Sequence, residues 1–149
     1  MTGKEYLLRY REAYIKVMRL ENQMDSIDDL LGNVTVDPTN EHVQTSRDPD
    51  QIGKLVARRA DILSDLMECK TKALAIMEEI YHTIEMLDDP DDQLVLQLRY
   101  IKLLTWKNVE RKMEEVSQPY SRMQMFDHHR RALKKIEEII NSAPICTLW

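Results

Sequence analysis

The strongest constraint on the fold is an apolar stripe that recurs at alternating steps of four and three residues near the start of the chain. It comprises Tyr6, Tyr10, Ala13, Val17, Leu20, Met24, Ile27 and Leu31. This spacing places all these side chains on one side of an α-helix and resembles the seam of a coiled coil. Gly32 follows the stripe directly, and a glycine at that position indicates the end of the helix.

A second stripe with the same spacing follows further along the chain. It comprises Ile52, Leu55, Arg59, Ile62, Leu66, Cys69, Ala73, Ile76, Ile80, Thr83 and Leu87. It predicts a helix from Pro49 or Asp50 to about Leu87. Residues 32–50, between the stripes, contain two prolines and many turn formers, and they predict a long, mobile polar loop. Two long amphipathic helices predict an antiparallel, coiled-coil-like hairpin. The stripes are then buried against each other or against another copy.

The composition favours an all-α protein. Only 3 glycines and 5 prolines occur in 149 residues, and a single Phe with two Trp implies an aliphatic core. Cys69 and Cys146 share no spacing motif, which favours reduced thiols and a cytosolic location over a disulfide framework. No run of residues approaches the roughly 18 apolar positions of a membrane span. We therefore expect a soluble, cytoplasmic protein without membrane contact.

The acidic segment DDPDD, residues 88–92, predicts a boundary in the chain. A helix is disfavoured at the residue before Pro90, and acidic side chains suit the N-terminus of the helix that follows. We therefore expect a helical hairpin over residues 1–87 and a C-terminal domain over residues 88–141. Residues 142–149 are expected to form a tail, which is either frayed or folded back.

The net charge of −5 hides an uneven distribution of charge. Residues 1–90 carry 11 basic and 18 acidic groups, so this part of the chain has a net charge of −7. Residues 99–135 carry 10 basic and 4 acidic groups, a net charge of +6. A short basic segment within an acidic protein indicates a local contact with an anionic partner such as nucleic acid.

A helix start is strongly indicated at Ser121. Ser121 is an N-cap residue type, and Gln124 three residues later completes a capping box. Tyr120, before the cap, can contact Met125 in the first turns as a hydrophobic staple. These three local signals agree, so we predict a helix that begins at this position.

The helix that begins at Ser121 has two distinct faces. Its apolar side comprises Met125, His129, Ala132, Leu133 and Ile136. Its opposite side comprises Met123, Asp127, Arg130 and Lys134, flanked by Arg122, Gln124, Phe126 and Arg131. Helix faces that meet only solvent favour Lys and Glu, so the apolar Met123 and Phe126 on this side indicate a contact surface.

Two shorter helices are predicted before it, one over Gln93–Leu104 and one that Thr105 caps. Three short helices, of which the third is capped and basic, are typical of a helix-turn-helix domain. In that fold the third helix enters the major groove of double-stranded DNA. The expected base contacts are Arg122, Met123, Gln124, Phe126 and Asp127, and the expected phosphate contacts are Lys107, Arg130, Arg131 and Lys134.

The segments LRYIKLLTWKNVERKM and YSRMQMFDHHRRALKKI resemble region 4 of bacterial sigma-70 family factors. The chain as a whole is similar to small phage and mobile-element regulators of the RinA/ArpU type. The resemblance covers about residues 88–140 and implies a promoter-binding transcriptional regulator. Contact with RNA polymerase is a further implication of the resemblance that the sequence leaves open. The apolar stripes, for their part, leave open a homodimer through the N-terminal helices.

Other classes of function have weaker support. His128 and His129 are adjacent and point about 100° apart on a helix, so we expect no shared metal ion and place His129 partly in the core. The sequence has no nucleophile–histidine pattern and no glycine-rich phosphate loop, so we expect neither an enzyme nor a cofactor. The main alternative is a protein-interaction module in which the acidic hairpin binds RNA polymerase or another regulator.

Overall fold

The computed structural model describes residues 1–32, 49–116 and 120–142, and these residues form five α-helices without a β-strand. The helices are α1 (Gly3–Gly32), α2 (Pro49–Glu85), α3 (Pro90–Leu96), α4 (Trp106–Val116) and α5 (Arg122–Ser142). A π-helical turn, Gln97–Ile101, continues α3. The predicted all-α class is confirmed. The tail after residue 142, most of the predicted loop at 32–50 and residues 117–119, between the last two predicted helices, lie outside the described residues.

The long helices follow the predicted stripes. α1 ends at Gly32 as expected, and α2 begins at Pro49 and ends two residues before the expected Leu87. No residue of either stripe is exposed. None of the described helices is long and apolar enough to cross a membrane.

The helix after the acidic segment differs from the prediction. It begins at Pro90, because Asp89 is its N-cap and accepts a hydrogen bond from the Asp91 amide at 2.9 Å. Its π-helical continuation ends before Leu103, which has a left-handed backbone with φ of 55°. The Leu104 amide then donates to the Leu98 carbonyl at 3.1 Å, as in a helix C-terminal cap. The helix predicted to reach Leu104 therefore stops earlier.

The chain divides into two compact units that do not coincide with the predicted boundary after residue 87. One unit is Tyr14–Lys72, and the other combines Met1–Ala13 with Ala73–Trp149. The reason is that the start of α1 and the end of α2 share a core with the C-terminal helices. This core comprises Tyr6, Leu7, Ile80, Ile84, Leu87, Leu96, Tyr100, Ile101, Ala132 and Ile136.

The unit Tyr14–Lys72 is a pair of antiparallel helices. Asp28 pairs with Arg59 at 2.6 Å, and Glu21 pairs with Lys70 at 3.1 Å, so the two helices run in opposite directions. Exposed ion pairs of this kind contribute little, and burial of the stripes supplies most of the stabilisation. Within this unit, the buried residues of the stripes are Val17, Met24, Ile27, Ile62 and Leu66.

In the other unit, α1 crosses α5 at very short range. A Cβ atom added to Gly3 would overlap the carbonyl oxygen of Leu133 on α5. The Gly3 amide also donates to Glu137 Oε2 at 3.3 Å. Glycine is therefore needed here for close approach of two backbones. This crossing holds the first turn of α1 against the middle of α5.

A second core cluster supports the N-terminal half of α5. It comprises Val95, Val109, Met113 and Met125, with Trp106, Tyr120 and Phe126 partly buried around it. The cluster joins α3, α4 and α5 through apolar contact. These three helices therefore form a packed group from which one side of α5 faces solvent.

Candidate nucleic-acid interface

The start of α5 is fixed by the predicted capping box. The Gln124 amide donates to Ser121 Oγ at 3.2 Å, and the Ser121 amide donates to Gln124 Oε1 at 2.9 Å. Tyr120 and Met125 belong to the same apolar cluster, as the predicted staple requires. Both hydrogen bonds satisfy amides that the first helical turn leaves free. The first turn of α5 is thus held in one orientation.

The outer side of α5 is exposed as predicted. Met123 has 75% of its surface exposed, which is high for an apolar residue. Asp127, Arg130 and Lys134 are exposed on the same side. The distance between Arg130 Nη1 and Asp127 Oδ1 is 3.7 Å, which is long for an ion pair, and both side chains are largely exposed. The pair is therefore weak and leaves Arg130 available to a partner. Lys107, on α4, is exposed as well.

Phe126 differs from its predicted exposure. Its ring is half-buried and lies against the Trp106 ring, with 5.0 Å between the centroids. The guanidinium of Arg122 also lies over this ring, 5.7 Å from its centroid. Phe126 therefore supports Arg122, an exposed residue, and its own contact with a base stays a prediction.

Arg131 lies in a cluster of hydrogen-bonded polar and charged groups that connects α5 to α3. Its Nε donates to Asp92 Oδ2 at 3.1 Å, and its Nη2 donates to Asp92 Oδ1 at 2.9 Å and Asp89 Oδ2 at 2.7 Å. His128 Nδ1 donates to Asp92 Oδ1 at 2.7 Å, because an ionised carboxylate can only accept. Lys135 Nζ lies 3.9 Å from Asp92 Oδ2. This cluster fixes the rotation of α5 about its axis.

Asp92 is the centre of this cluster and is completely buried. Burial by itself raises its pKa, but the hydrogen bonds and positive charge of Arg131 and His128 hold the pKa of Asp92 below its ordinary value. Asp92 therefore stays ionised at neutral pH although it has no access to water. The sequence does not predict that Asp92 is the buried centre of this cluster, because the segment DDPDD indicates only a helix boundary.

Asp89, Asp92 and His128 also have three potential metal-ligand atoms within 4.8 Å of one another. The guanidinium of Arg131 is hydrogen-bonded to both carboxylates, so the protein itself supplies the positive charge that this group requires. The same bonds occupy the guanidinium that the sequence assigned to DNA phosphate. We therefore leave Arg131 out of the proposed DNA-contacting residues, and its phosphate contact stays a prediction.

His129 is partly buried, as predicted. Its Nε2 lies 2.8 Å from the Tyr100 hydroxyl, and its ring meets the edge of the Trp106 ring with 4.6 Å between centroids. Burial, followed by the charges of Arg99 and Lys4, lowers the pKa of His129 to about 4. His129 is therefore neutral at physiological pH and adds no charge to the basic side of the domain.

The residues predicted to contact DNA thus fall into two groups. Two of them, Phe126 and Arg131, are engaged with other parts of the protein. The others are exposed and not held in this way: Arg122, Met123, Gln124, Asp127, Arg130, Lys134 and Lys107.

No protein-family model, curated protein or solved structure matches the chain.

Proposed function

We propose that this protein is a sequence-specific double-stranded-DNA-binding regulator of transcription of the phage or mobile-element type, with α5 as its recognition helix. The observation that carries this proposal is the outer side of α5. Met123, Arg130 and Lys134 are exposed there on a helix whose first turn is capped and whose opposite side is anchored in the core. A rigid helix with exposed cationic and apolar groups at its start suits the major groove.

The side chains of the first turn have complementary donors for base edges. Arg122 is exposed, and its contact with the Phe126 ring restricts it, which suits a bidentate contact with guanine O6 and N7. Gln124 uses Oε1 in the capping box, so its amide nitrogen keeps two N–H groups. These donors favour an acceptor on a purine edge. Asp127 is the acceptor on this side and suits the amino group of cytosine.

Arg130 and Lys134, together with Lys107 on α4, are the proposed phosphate contacts. Each of these side chains would displace one condensed counterion. Removal of any one of them should therefore reduce the magnitude of the slope of log affinity against log salt concentration by about 1. Removal of Gln124 should instead change which sequence is preferred.

The test is a fluorescence-anisotropy titration of the full chain with DNA selected from a random pool, at two salt concentrations. The variant pair Arg130→Ala with Lys134→Ala is compared with Lys54→Ala and Arg58→Ala, two exposed cations on α2. Both double variants change the net charge equally. We expect weaker binding and a smaller salt slope only for the α5 variant. Equal behaviour of the two variants, or no binding at micromolar protein, would refute the assignment of this side of α5.

A second candidate function is protein interaction through the hairpin. In the unit Tyr14–Lys72, the exposed apolar residues Val56, Leu63 and Met67 recur on α2 at steps of seven and four. Such a row on one side of a helix indicates an interaction surface. A second copy of the chain is the first partner to test, followed by RNA polymerase. Sedimentation equilibrium of the full chain and of a Leu63→Lys, Met67→Lys variant measures self-association directly. A monomer in both cases excludes a homodimer.

A further inference from the structure

A cavity of about 360 Å³ lies within the unit that combines Met1–Ala13 with Ala73–Trp149. Its walls come from the first turns of α1, the π-helical turn, the start of α4 and the core-facing side of α5. This volume is within the range of small-molecule sites in proteins. No sequence pattern predicted the cavity, because its residues are as much as 125 positions apart in the chain, from Lys4 to His129.

Among the residues that the structure describes, the cavity is lined by three cations and by no carboxylate. The cations are Lys4, Arg11 and Arg99. Lys4 and Arg11 are exposed, and their side chains make no hydrogen bond or ion pair with the residues that the structure describes. Like charges brought together without an acidic partner repel one another, and a bound anion would remove that repulsion.

Arg99 is held in place before any ligand arrives. One of its terminal N–H groups donates to the Leu104 carbonyl at 2.9 Å, and its guanidinium lies 4.6 Å from the centre of the Trp106 ring. A guanidinium has five N–H groups, so most of its donors stay available. Fixing a cation in advance lowers the entropy cost of binding an anion.

The rest of the lining includes apolar and aromatic residues, namely Leu8, Leu103 and Trp106. Leu103 is the residue with the left-handed backbone in the helix C-terminal cap described above. A lining that combines cations with apolar and aromatic residues suits a ligand with an anionic group and an apolar or planar group.

His129 supports the presence of uncompensated positive charge. Arg99 and Lys4 both contribute to its lowered pKa, after burial. The neutral imidazole is engaged by the Tyr100 hydroxyl and by Trp106, so it forms part of the wall.

From this arrangement we propose that the cavity binds a small molecule with a phosphate monoester group, its phosphate among Lys4, Arg11 and Arg99 and its organic part against Leu8, Leu103 and Trp106. Three cations match a dianion better than a single carboxylate. The cavity contacts His129, on the core-facing side of α5, and none of the exposed residues proposed to contact DNA. The inference is therefore independent of the proposed DNA-binding function.

The test is isothermal titration calorimetry of the full chain at constant ionic strength with three probes: inorganic phosphate, adenosine 5′-monophosphate and adenosine. We expect saturable one-site binding of the two phosphates, tighter for the nucleotide, and no binding of adenosine. Arg11→Gln and Lys4→Gln should each weaken binding about tenfold, the cost of one lost charge-assisted hydrogen bond. Arg19→Gln, an exposed arginine further along α1 and outside the cavity, is the matched control and should bind as the parent does.

Three results would overturn the proposal. The first is no saturable binding of either phosphate at about 10 mM, beyond the weak end of the affinity scale for specific ligands. The second is an equal loss in Arg19→Gln, which would show a response to net charge alone. The third is weaker DNA binding by Arg11→Gln without any binding of the small phosphates, which would assign these cations to the DNA backbone.

Discussion

Replacement of Asp92 by asparagine tests whether the buried ionised cluster holds α5 on the domain. The side chain of Asp92 is inaccessible to solvent and accepts two hydrogen bonds from Arg131 and one from His128. An asparagine at this position would be neutral and would turn an N–H group towards a guanidinium that is itself a donor. Hydrogen bonds to charged groups contribute about 1.5–3 kcal/mol each. Arg131 is 49% exposed, so water recovers part of that loss.

We expect the free energy of unfolding to fall by about 2–4 kcal/mol in Asp92→Asn at neutral pH. The pKa of Asp92 is lowered in the folded protein, so its contribution to stability is complete above the ordinary pKa of aspartate. The contribution is lost as the pH falls through the lowered, folded-state pKa. The difference in the free energy of unfolding between parent and variant should therefore stay constant from neutral pH to just above the ordinary pKa of aspartate. Below that pH the difference should shrink.

The assay is denaturant unfolding at a series of pH values, with Asp127→Asn as the control, since Asp127 is exposed on α5 and the change in charge is the same. The control should change stability by less than about 0.5 kcal/mol. Equal stability of the two variants at neutral pH would contradict a stabilising role of the ionised Asp92. A deficit of Asp92→Asn that does not depend on pH in the acid range would contradict it as well.

Three further sets of substitutions test the helices and the packing around α5. Gly3→Ala should destabilise the protein by about 1–3 kcal/mol, because the added Cβ would overlap the backbone of α5. Gly53→Ala should instead stabilise α2 by up to about 1 kcal/mol, because nothing lies near the added Cβ and alanine favours a helix. Thermal melts of the two variants measure both changes. Ser121→Ala should lower the free energy of unfolding by about 1 kcal/mol, because it removes the side chain that caps α5. Circular dichroism should then show fewer helical residues, and an unchanged spectrum and stability would contradict a role for the cap. Met125→Ala should cost about 2–5 kcal/mol and Met123→Ala almost nothing, because the first is fully buried and the second exposed; similar unfolding midpoints would contradict this.

Local features of the structure could be predicted because they depend on residues three or four positions apart. The stripes of α1 and α2 are set by the helical period, and no residue of either stripe is exposed. The cap at Ser121 and the helix end at Gly32 depend on backbone groups within one turn, and both were confirmed. The division of α5 into an apolar and a polar side follows from the same periodicity.

The charged groups could not be assigned in this way. In the sequence Arg131 resembles Arg130, but Arg131 is bonded to an aspartate 39 positions earlier, whereas among the described residues Arg130 makes only a weak contact with Asp127 on its own helix. A lone sequence does not distinguish a charge that meets solvent from one that meets a distant partner, because that outcome depends on how the helices are rotated against one another. The cation-lined cavity and the division into two units depend on the same long-range packing. The sequence by itself therefore determined the helices and their apolar sides, and the tertiary structure decided which polar groups are free to bind a partner.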